Sequence, residues 1–509
     1  MESWEQTVLV EFSKDPRDHW TVDDAMKGTS IIGSTGSGKT TGSGRKIATK
    51  FLLQGWGGLV LCAKNDEVEL WEEYCKTTGR ENDLIVFSKN STILNDKGEP
   101  EPMVFNPIQY ELTRPGEGAG DTFNLTNIFM NLHKIGNRAT SDSESRKDDR
   151  FWDNALKRII SRTIELITLA GEDLTFRNIV EVIYSSPRAN SPVPTGKFSN
   201  FCQMVKFEDE HREVLEKDFF LKCLAKIFNK TMEAGMTDEG QYTYNTLDRY
   251  FTSSLPNTSE HTHNAIIESF MGVAEPFLSG ILKMHFSGKT NIFPEDIYRK
   301  NKVIILNFPV KEYLDAGVMA QGVFKLLFQQ AMERRDTKKY PTPVFFWADE
   351  AQYFVNPYDQ IFLTTARSSR TATVFLSQSI SNYYAVMGSG EDGKAKVNSM
   401  MGNLTTKIFH ANSDTATNEY ASQLIGQAKE IMRSTNDTVN AKEFTYQTSE
   451  GRSSQYTPQI RPMEFTIMRT GGHRNDYKID AVIFVTGRLW SKGTNYLRPF
   501  FKQQFDVKN

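Results

Sequence analysis

Residues 33–40 read Gly-Ser-Thr-Gly-Ser-Gly-Lys-Thr, a complete GxxxxGK[ST] pattern between the apolar run 29–33 and the helix-patterned stretch 44–55. Strand, glycine loop and helix in that order are the context in which the pattern binds phosphate. Glycines let backbone N–H groups curl round a β-phosphate at the positive end of the helix. Gly33, Ser34, Thr35, Gly36, Ser37, Gly38, Lys39, Thr40 and Thr41 then form the cradle. Lys39 reaches the β- and γ-oxygens, and the Thr40 hydroxyl binds Mg2+. Gly42 and Gly44 fall in the first helical turn, where glycine costs about 1 kcal/mol against alanine. A frayed helix start or close backbone packing accounts for them equally well.

A phosphate loop alone serves kinases, GTPases and motors, and the second half of the chain discriminates. Residues 344–350, Val-Phe-Phe-Trp-Ala-Asp-Glu, form an apolar run ending in two adjacent carboxylates. Asp349 at the end of a strand suits the water shell of Mg2+. Glu350 suits a general base on the attacking water. An unpaired carboxylate at a buried strand end is costly, which makes a merely decorative Asp-Glu pair the poorer explanation. The next apolar run, residues 372–379, carries Gln378 at its carboxyl end, where an amide can sense a γ-phosphate or position water. An ordinary strand-terminal glutamine is the plain alternative. Arg367 and Arg370 precede that run, and Arg488 follows the last one. An arginine lent to a neighbouring subunit neutralises charge in phosphoryl transfer. Arg367 is the first choice, with solvated loop arginines as the alternative. In this order the features fit an additional-strand, catalytic-glutamate ATPase with a RecA-like core, using ATP and Mg2+.

The elements that must position these groups follow from periodicity. Short apolar runs at 57–64 and 82–88 alternate with a helical pattern at 66–79, which predicts βαβ units and a parallel sheet covered on both faces. Helical patterns dominate between about residues 120 and 288, and short apolar runs resume at 302–308, 342–350, 372–379, 405–411 and 480–487. The expected fold is α/β: a RecA-like P-loop ATPase core with a parallel-rich central sheet and an inserted all-α subdomain. Residues 1–119 and 296–509 form the two parts of the nucleotide-binding domain, with 120–295 inserted between them.

At 509 residues, 39% hydrophobic, 24% charged and a formal charge of −3, the chain has ordinary globular composition. It holds no apolar run long enough to cross a membrane as a helix. Its first residues show neither a basic leader nor an apolar core, which argues against export and for a cytoplasmic protein. Four scattered cysteines, Cys62, Cys75, Cys202 and Cys223, suit reduced thiols. His261, His263, His410 and His473 lack metal-ligand spacing. Near-neutral charge neither announces nor excludes nucleic acid, and no base-reading motif is present. The helical block offers Arg146, Lys147, Arg150, Lys157, Arg158 and Arg162 as phosphate contacts, though no single helical face collects them all.

With these residues in place the sequence resembles the FtsK/HerA superfamily, and within it the conjugative coupling ATPases of type IV secretion, the TraG/TraD type. Residues 20–41 resemble that family's entry into the phosphate loop. Val-Phe-Asn-Pro-Ile at 104–108 is similar to its Phe-Asn-Pro-Leu segment, and 150–160 to the start of its all-α domain. Residues 366–384 resemble its arginine-and-glutamine segment, where Arg367 matches the arginine supplied in trans. Residues 403–426 resemble the strand and helix that follow. Ala-Lys-Asn-Asp-Glu at 63–67 departs from the family's Asp-Pro-Lys-Gly-Glu-like turn. The family usually carries two transmembrane helices before the loop, which this sequence does not show. The resemblance implies a homo-hexamer translocating DNA through a central channel, with relaxase or secretion-channel partners and recruitment to the inner face of a membrane. Two other functions stay open: an ATPase that recruits or pumps a protein cargo, and a nucleotide-switched assembly module without translocation.

Overall fold

The computed structural model describes residues 4–95, 97–136, 146–188, 218–234, 237–388, 390–440 and 445–503. They fall into two compact units, one of Met1–Val60, Leu70–Leu84 and Arg335–Asn509, the other of Leu61–Glu69 and Ile85–Arg334. This division differs from one at residues 120 and 295. Strand Val303–Asn307 and helix Val310–Arg334 group with the helical block, because that helix packs on Thr122–Gly136 with Gly322 against Ile135. Buried Gln321 ties it further, accepting from the Cys62 N–H and donating to the Cys62 carbonyl, each at 2.9 Å.

In the first unit the strands lie in the order Tyr496–Leu497, Val482–Val485, Thr406–Phe409, Thr29–Ile32, Thr371–Ser377, Val344–Ala348, Gly57–Leu61. Thr29–Ile32 runs parallel to Thr371–Ser377 on one side and to Thr406–Phe409 on the other. Thr371–Ser377 also pairs in parallel with Val344–Ala348. These central strands are buried at every position, which is why their sequences are nearly continuous apolar runs rather than alternating ones. Val482–Val485 pairs antiparallel with Thr406–Phe409, so the sheet is mixed at that side.

Helix Arg45–Leu53 presents Ile47, Ala48, Phe51 and Leu52 on one buried face. Phe51 stacks on Trp56 at 4.6 Å and on Phe345 at 5.7 Å between ring centroids. Trp71 stacks on the same Phe345 at 5.5 Å. Gly58 leaves room for this cluster, since a Cβ there would run into the Phe345 ring. The sequence shows no alternation that announces Gln427–Asn440 and Thr445–Pro458, yet they pair antiparallel as a two-stranded ribbon. Its described side chains at 427–435 and 450–456 are exposed.

The second unit holds strand Val303–Asn307 beside Leu84–Ser88 and a set of helices. Helix Arg146–Ala170 buries Leu156, Ile159, Ile160, Ile164 and Ile167. Phe176 and Phe277 stack face to face at 4.2 Å in the same core. Of the basic groups expected there, Lys157 lies over the Phe123 ring, and Arg162 is paired with Glu165. The side chains of Arg146, Lys147 and Arg150 lie outside the described residues, as does Cys202. Cys62, Cys75 and Cys223 are buried free thiols. Among the described residues no single helix is long and apolar enough to cross a membrane.

Gly58→Ala tests the aromatic cluster. Overpacking Phe345 between Phe51 and Trp71 is expected to cost about 1–3 kcal/mol. Denaturant unfolding of the variant against the unaltered chain reads this directly.

Candidate functional site

Three parallel strands end at nearly one level. Ile32 pairs with Ser377, and Ala348 pairs with Phe375. The segments leaving these ends are the glycine loop, the Asp349–Glu350 pair and Gln378, so the sheet register alone gathers all three at its carboxyl edge. The loop's backbone is tied down behind: Gly33 N–H bonds the Ser377 carbonyl at 3.2 Å, and Ser34 N–H bonds the Ala411 carbonyl at 2.9 Å. Gly38 turns with φ +84°, and a Cβ there would strike the Ile479 side chain.

Gly42 and Gly44 prove to be close-packing positions. Residues Thr40–Gly44 form a π turn before the helix. A Cβ on Gly44 would lie 2.9 Å from the Lys39 carbonyl oxygen, and one on Gly42 would lie 3.0 Å from Ile479 Cδ1. The tightened turn and its neighbours leave no space for a side chain, so glycine's helix penalty is accepted for close contact.

The predicted groups meet. Thr40 Oγ1 donates to Asp349 Oδ2 at 2.8 Å, and the other oxygen of Asp349 accepts from the Glu350 N–H at 2.9 Å. Burial pushes the Asp349 carboxyl above the ordinary carboxylate range, against the opposing pull of Lys39's charge and the Thr40 hydrogen bond. Lys39 is buried, with Nζ 3.8 Å from Glu350 Oε1. Glu350 itself is buried and left-handed, with φ 48° and ψ 48°. In an extended strand neighbouring side chains point to opposite faces. The left-handed turn at Glu350 breaks that alternation and lets both carboxylates face the loop, at a cost of about 1–2 kcal/mol for a non-glycine residue.

Both oxygens of Glu350 are held by amides. Gln378 Nε2 donates to Oε1 and Gln352 Nε2 donates to Oε2, each at 2.9 Å. Gln352 Oε1 in turn accepts from the Ser377 hydroxyl at 2.9 Å. Gln352 was not anticipated; its only signal was a polar residue two positions after the acid pair. Asn412 was missed too. Its Nδ2 donates to the Gln378 carbonyl at 2.8 Å and its Oδ1 accepts from the Ser34 hydroxyl at 3.2 Å, linking loop to glutamine.

His410 lies underneath, fully buried. Its Nδ1 faces the Asp480 carbonyl at 2.9 Å, and its Nε2 faces the Ser43 hydroxyl at 2.7 Å. A carbonyl only accepts, so Nδ1 carries the proton and Nε2 accepts from Ser43. Burial, with Lys39's charge adding to it, drives the ring's pKa down to about 4.

The arginines lie elsewhere in the same unit. Arg367 is half-exposed and pairs with Asp23 at 2.9 Å. Among the described residues it makes no hydrogen bond or ion pair with Lys39, Thr40, Asp349, Glu350 or Gln378. Arg370 donates to the Pro341 carbonyl at 2.7 Å and covers the Trp4 ring, while Arg488 pairs with Asp24 at 2.9 Å.

Residues 343–469, which include the acid pair and Gln378, match the family described as the TraM recognition site of TraD and TraG. The plasmid coupling protein TrwB in complex with the GTP analogue GDPNP is similar in structure, with a TM-score of 0.58 at 12% identity, over 100% of this chain and 92% of that one. The chain has the fold of the conjugative coupling proteins. The unbound bacterial coupling protein TrwBdeltaN70 gives a TM-score of 0.55 at 10% identity, over 100% of this chain and 91% of the other. TrwB in complex with ADP and Mg2+ gives 0.55 at 11%, over 99% and 90%. No curated protein matches the chain by sequence.

The donor set of this site fits a nucleotide with its metal. A hydroxyl and a carboxylate side by side, Thr40 and Asp349, are the hard oxygen ligands that Mg2+ takes. Among the described residues the buried Ser37 hydroxyl in the loop has no hydrogen-bond partner, and Lys39 brings its charge to the acid pair.

His410 gives the site a pH signature. Unfolded, its imidazole has a pKa of about 6.5 and binds a proton that the folded form refuses until about pH 4. The unfolded state therefore binds more protons between those values, and stability falls as pH drops through them. Between about pH 7 and pH 5 the loss from this residue is about 2 kcal/mol. In His410→Asn, urea unfolding at both pH values is expected to lose that part of the slope.

Proposed function

We propose that this chain is the ATP-hydrolysing motor of a conjugative transfer or secretion apparatus, acting as a ring of six copies that translocates DNA. The cluster of Lys39, Glu350 and Gln378 beside Thr40 and Asp349 carries the reading. A glutamate clamped at both oxygens beside a phosphate-loop lysine suits hydrolysis better than passive binding. That TrwB, similar in fold, is known in complex with GDPNP and with ADP and Mg2+ supports a nucleotide ligand for this chain.

In this reading the loop's N–H groups and Lys39 hold the β- and γ-phosphates. Mg2+ held by Thr40 and Asp349 supplies neutralisation of phosphate charge. Glu350 accepts the proton of the attacking water. Gln352 and Gln378 each hold one carboxylate oxygen, fixing the plane in which that proton is taken. Lys39 faces the same carboxylate at 3.8 Å, so a triphosphate that draws Lys39 away releases Glu350 for the water. Arg367 is the group offered to a neighbouring copy, leaving Asp23 to do so.

The description of residues 343–469 as a TraM recognition site favours a second reading, in which the same ATPase recruits or pumps a protein. A bare assembly switch has less use for a positioned base such as Glu350. In the leading reading the motor works on the cytoplasmic side, reaching the membrane through a partner.

ATP turnover with and without single- and double-stranded DNA, at low and moderate salt, tests the proposal. Salt-sensitive stimulation by DNA is expected; stimulation by a protein partner alone would move the reading to protein cargo. Lys39→Ala is expected to weaken nucleotide binding. Glu350→Gln should keep binding and lose turnover by about 100-fold or more, and undiminished turnover would remove Glu350 as the base. Arg367→Ala and Lys39→Ala chains, each inactive alone, should regain activity in mixed rings. No recovery in verified mixed rings would count against a trans role for Arg367.

A further inference from the structure

Strand Val8–Glu11, helix Arg45–Leu53 and the segment 491–500 border an open, solvent-facing cavity of about 830 Å3 in the first unit. That is the size of small-ligand sites. No residue of the loop 33–41 lines it. Its wall carries Lys14, Lys46, Lys50, Lys492 and Arg498 against Glu11 and Asp18, a local positive excess in a chain whose formal charge is −3.

The acids do not neutralise this wall evenly. Asp18 accepts from the hydroxyls of Ser13 and Ser491, each at 2.7 Å, and from the Ser491 N–H at 2.8 Å. Arg498 is taken up by Glu464 at 2.7 Å. Lys14, Lys50 and Lys492 make no ion pair among the described residues. Lys46 and Lys50 stand one turn apart on the same helix, a repulsive spacing for like charges. Burial, then the charge of Lys50, push the Lys46 ammonium below its usual range despite Glu11. An anion seated among these lysines removes the repulsion and replaces lost hydration with charge-assisted hydrogen bonds.

The rest of the wall is apolar. Phe12 is fixed edge-on by Trp490 at 6.0 Å and Phe501 at 6.1 Å, and Val8 and Phe500 are exposed beside it. We propose that this cavity binds a phosphate-bearing anion with an apolar portion, the phosphate among Lys46, Lys50 and Lys492 and the apolar part on Val8, Phe12 and Phe500. A soluble phosphate compound and a phospholipid headgroup present that same chemistry. The proposal does not depend on what the glycine loop binds.

The test uses the full chain carrying Lys39→Ala, so that the glycine loop contributes little. Isothermal titration with inorganic pyrophosphate is expected to show saturable binding that Lys50→Glu with Lys492→Glu weakens at least about ten-fold. Flotation with phosphatidylcholine vesicles, with and without phosphatidic acid, is the second arm. Pyrophosphate binding abolished by the charge reversals identifies a soluble ligand. Flotation that needs phosphatidic acid and is abolished by the same reversals identifies a lipid. Binding in neither arm, or binding that the reversals leave unchanged, overturns the proposal. Lys14→Glu, on an exposed side chain of a different element, repeats the comparison should the double variant fold poorly, and is expected to weaken binding in the same arm.

Discussion

The structure depends most on the register of three parallel strands. Thr371–Ser377 lies between Thr29–Ile32 and Val344–Ala348, with Ser377 level with Ile32 and Phe375 level with Ala348. A slip of one residue would turn each strand's side chains to the other face and part the glycine loop from the acids. Burial of every position in these strands holds the register, since a slipped pairing would have to repack both covered faces. The Thr40–Asp349 hydrogen bond joins positions 309 residues apart as a consequence of that register.

Upon this frame the chemistry rests on how buried charge is satisfied. Asp349, Glu350 and Lys39 are all withdrawn from water, where isolated charges are costly. Each finds compensation: a hydroxyl and a backbone N–H for Asp349, two glutamine amides for Glu350, and Glu350 itself for Lys39. The left-handed turn at Glu350 is local strain at the position where direction matters most. The glutamines that clamp it come from two places, one from the turn after the acid strand and one from the end of the neighbouring strand. The arrangement therefore forms only when the sheet does.

Behind the loop, close packing and buried hydrogen bonds together set the geometry. Ile479 sits against Gly38 and Gly42, and the backbone carbonyl of its neighbour Asp480 accepts a hydrogen bond from His410 Nδ1 while His410 Nε2 accepts one from the Ser43 hydroxyl. Gln503, just after the strand whose Phe501 pairs with Ile479, donates to the Thr41 hydroxyl. The glycine loop is thus supported by Ile479 and Gln503, more than four hundred residues further along the chain, and the charged cavity is lined by the same helix and C-terminal segment.

Much of this was legible in the amino-acid sequence. The pattern from Gly33 to Thr40, the apolar run ending in Asp349 and Glu350, and Gln378 after the next run mark the groups that the structure brings together at the strand ends. Continuous apolar runs likewise announce strands covered on both faces. Local pattern says nothing, however, about which strand lies beside which. Only the tertiary structure decided that Gln352 and Gln378 share one carboxylate, that Asn412 joins Ser34 to Gln378, and that Gly42 and Gly44 are small because Ile479 and the Lys39 carbonyl press on them. It also decided that Val303–Asn307 and the helix after it group with the helical block, and that Arg367 rests on Asp23. Period and composition are properties of neighbours in the chain, whereas hydrogen-bond partners and close contacts are set by which distant segments the buried sheet brings within a few ångströms.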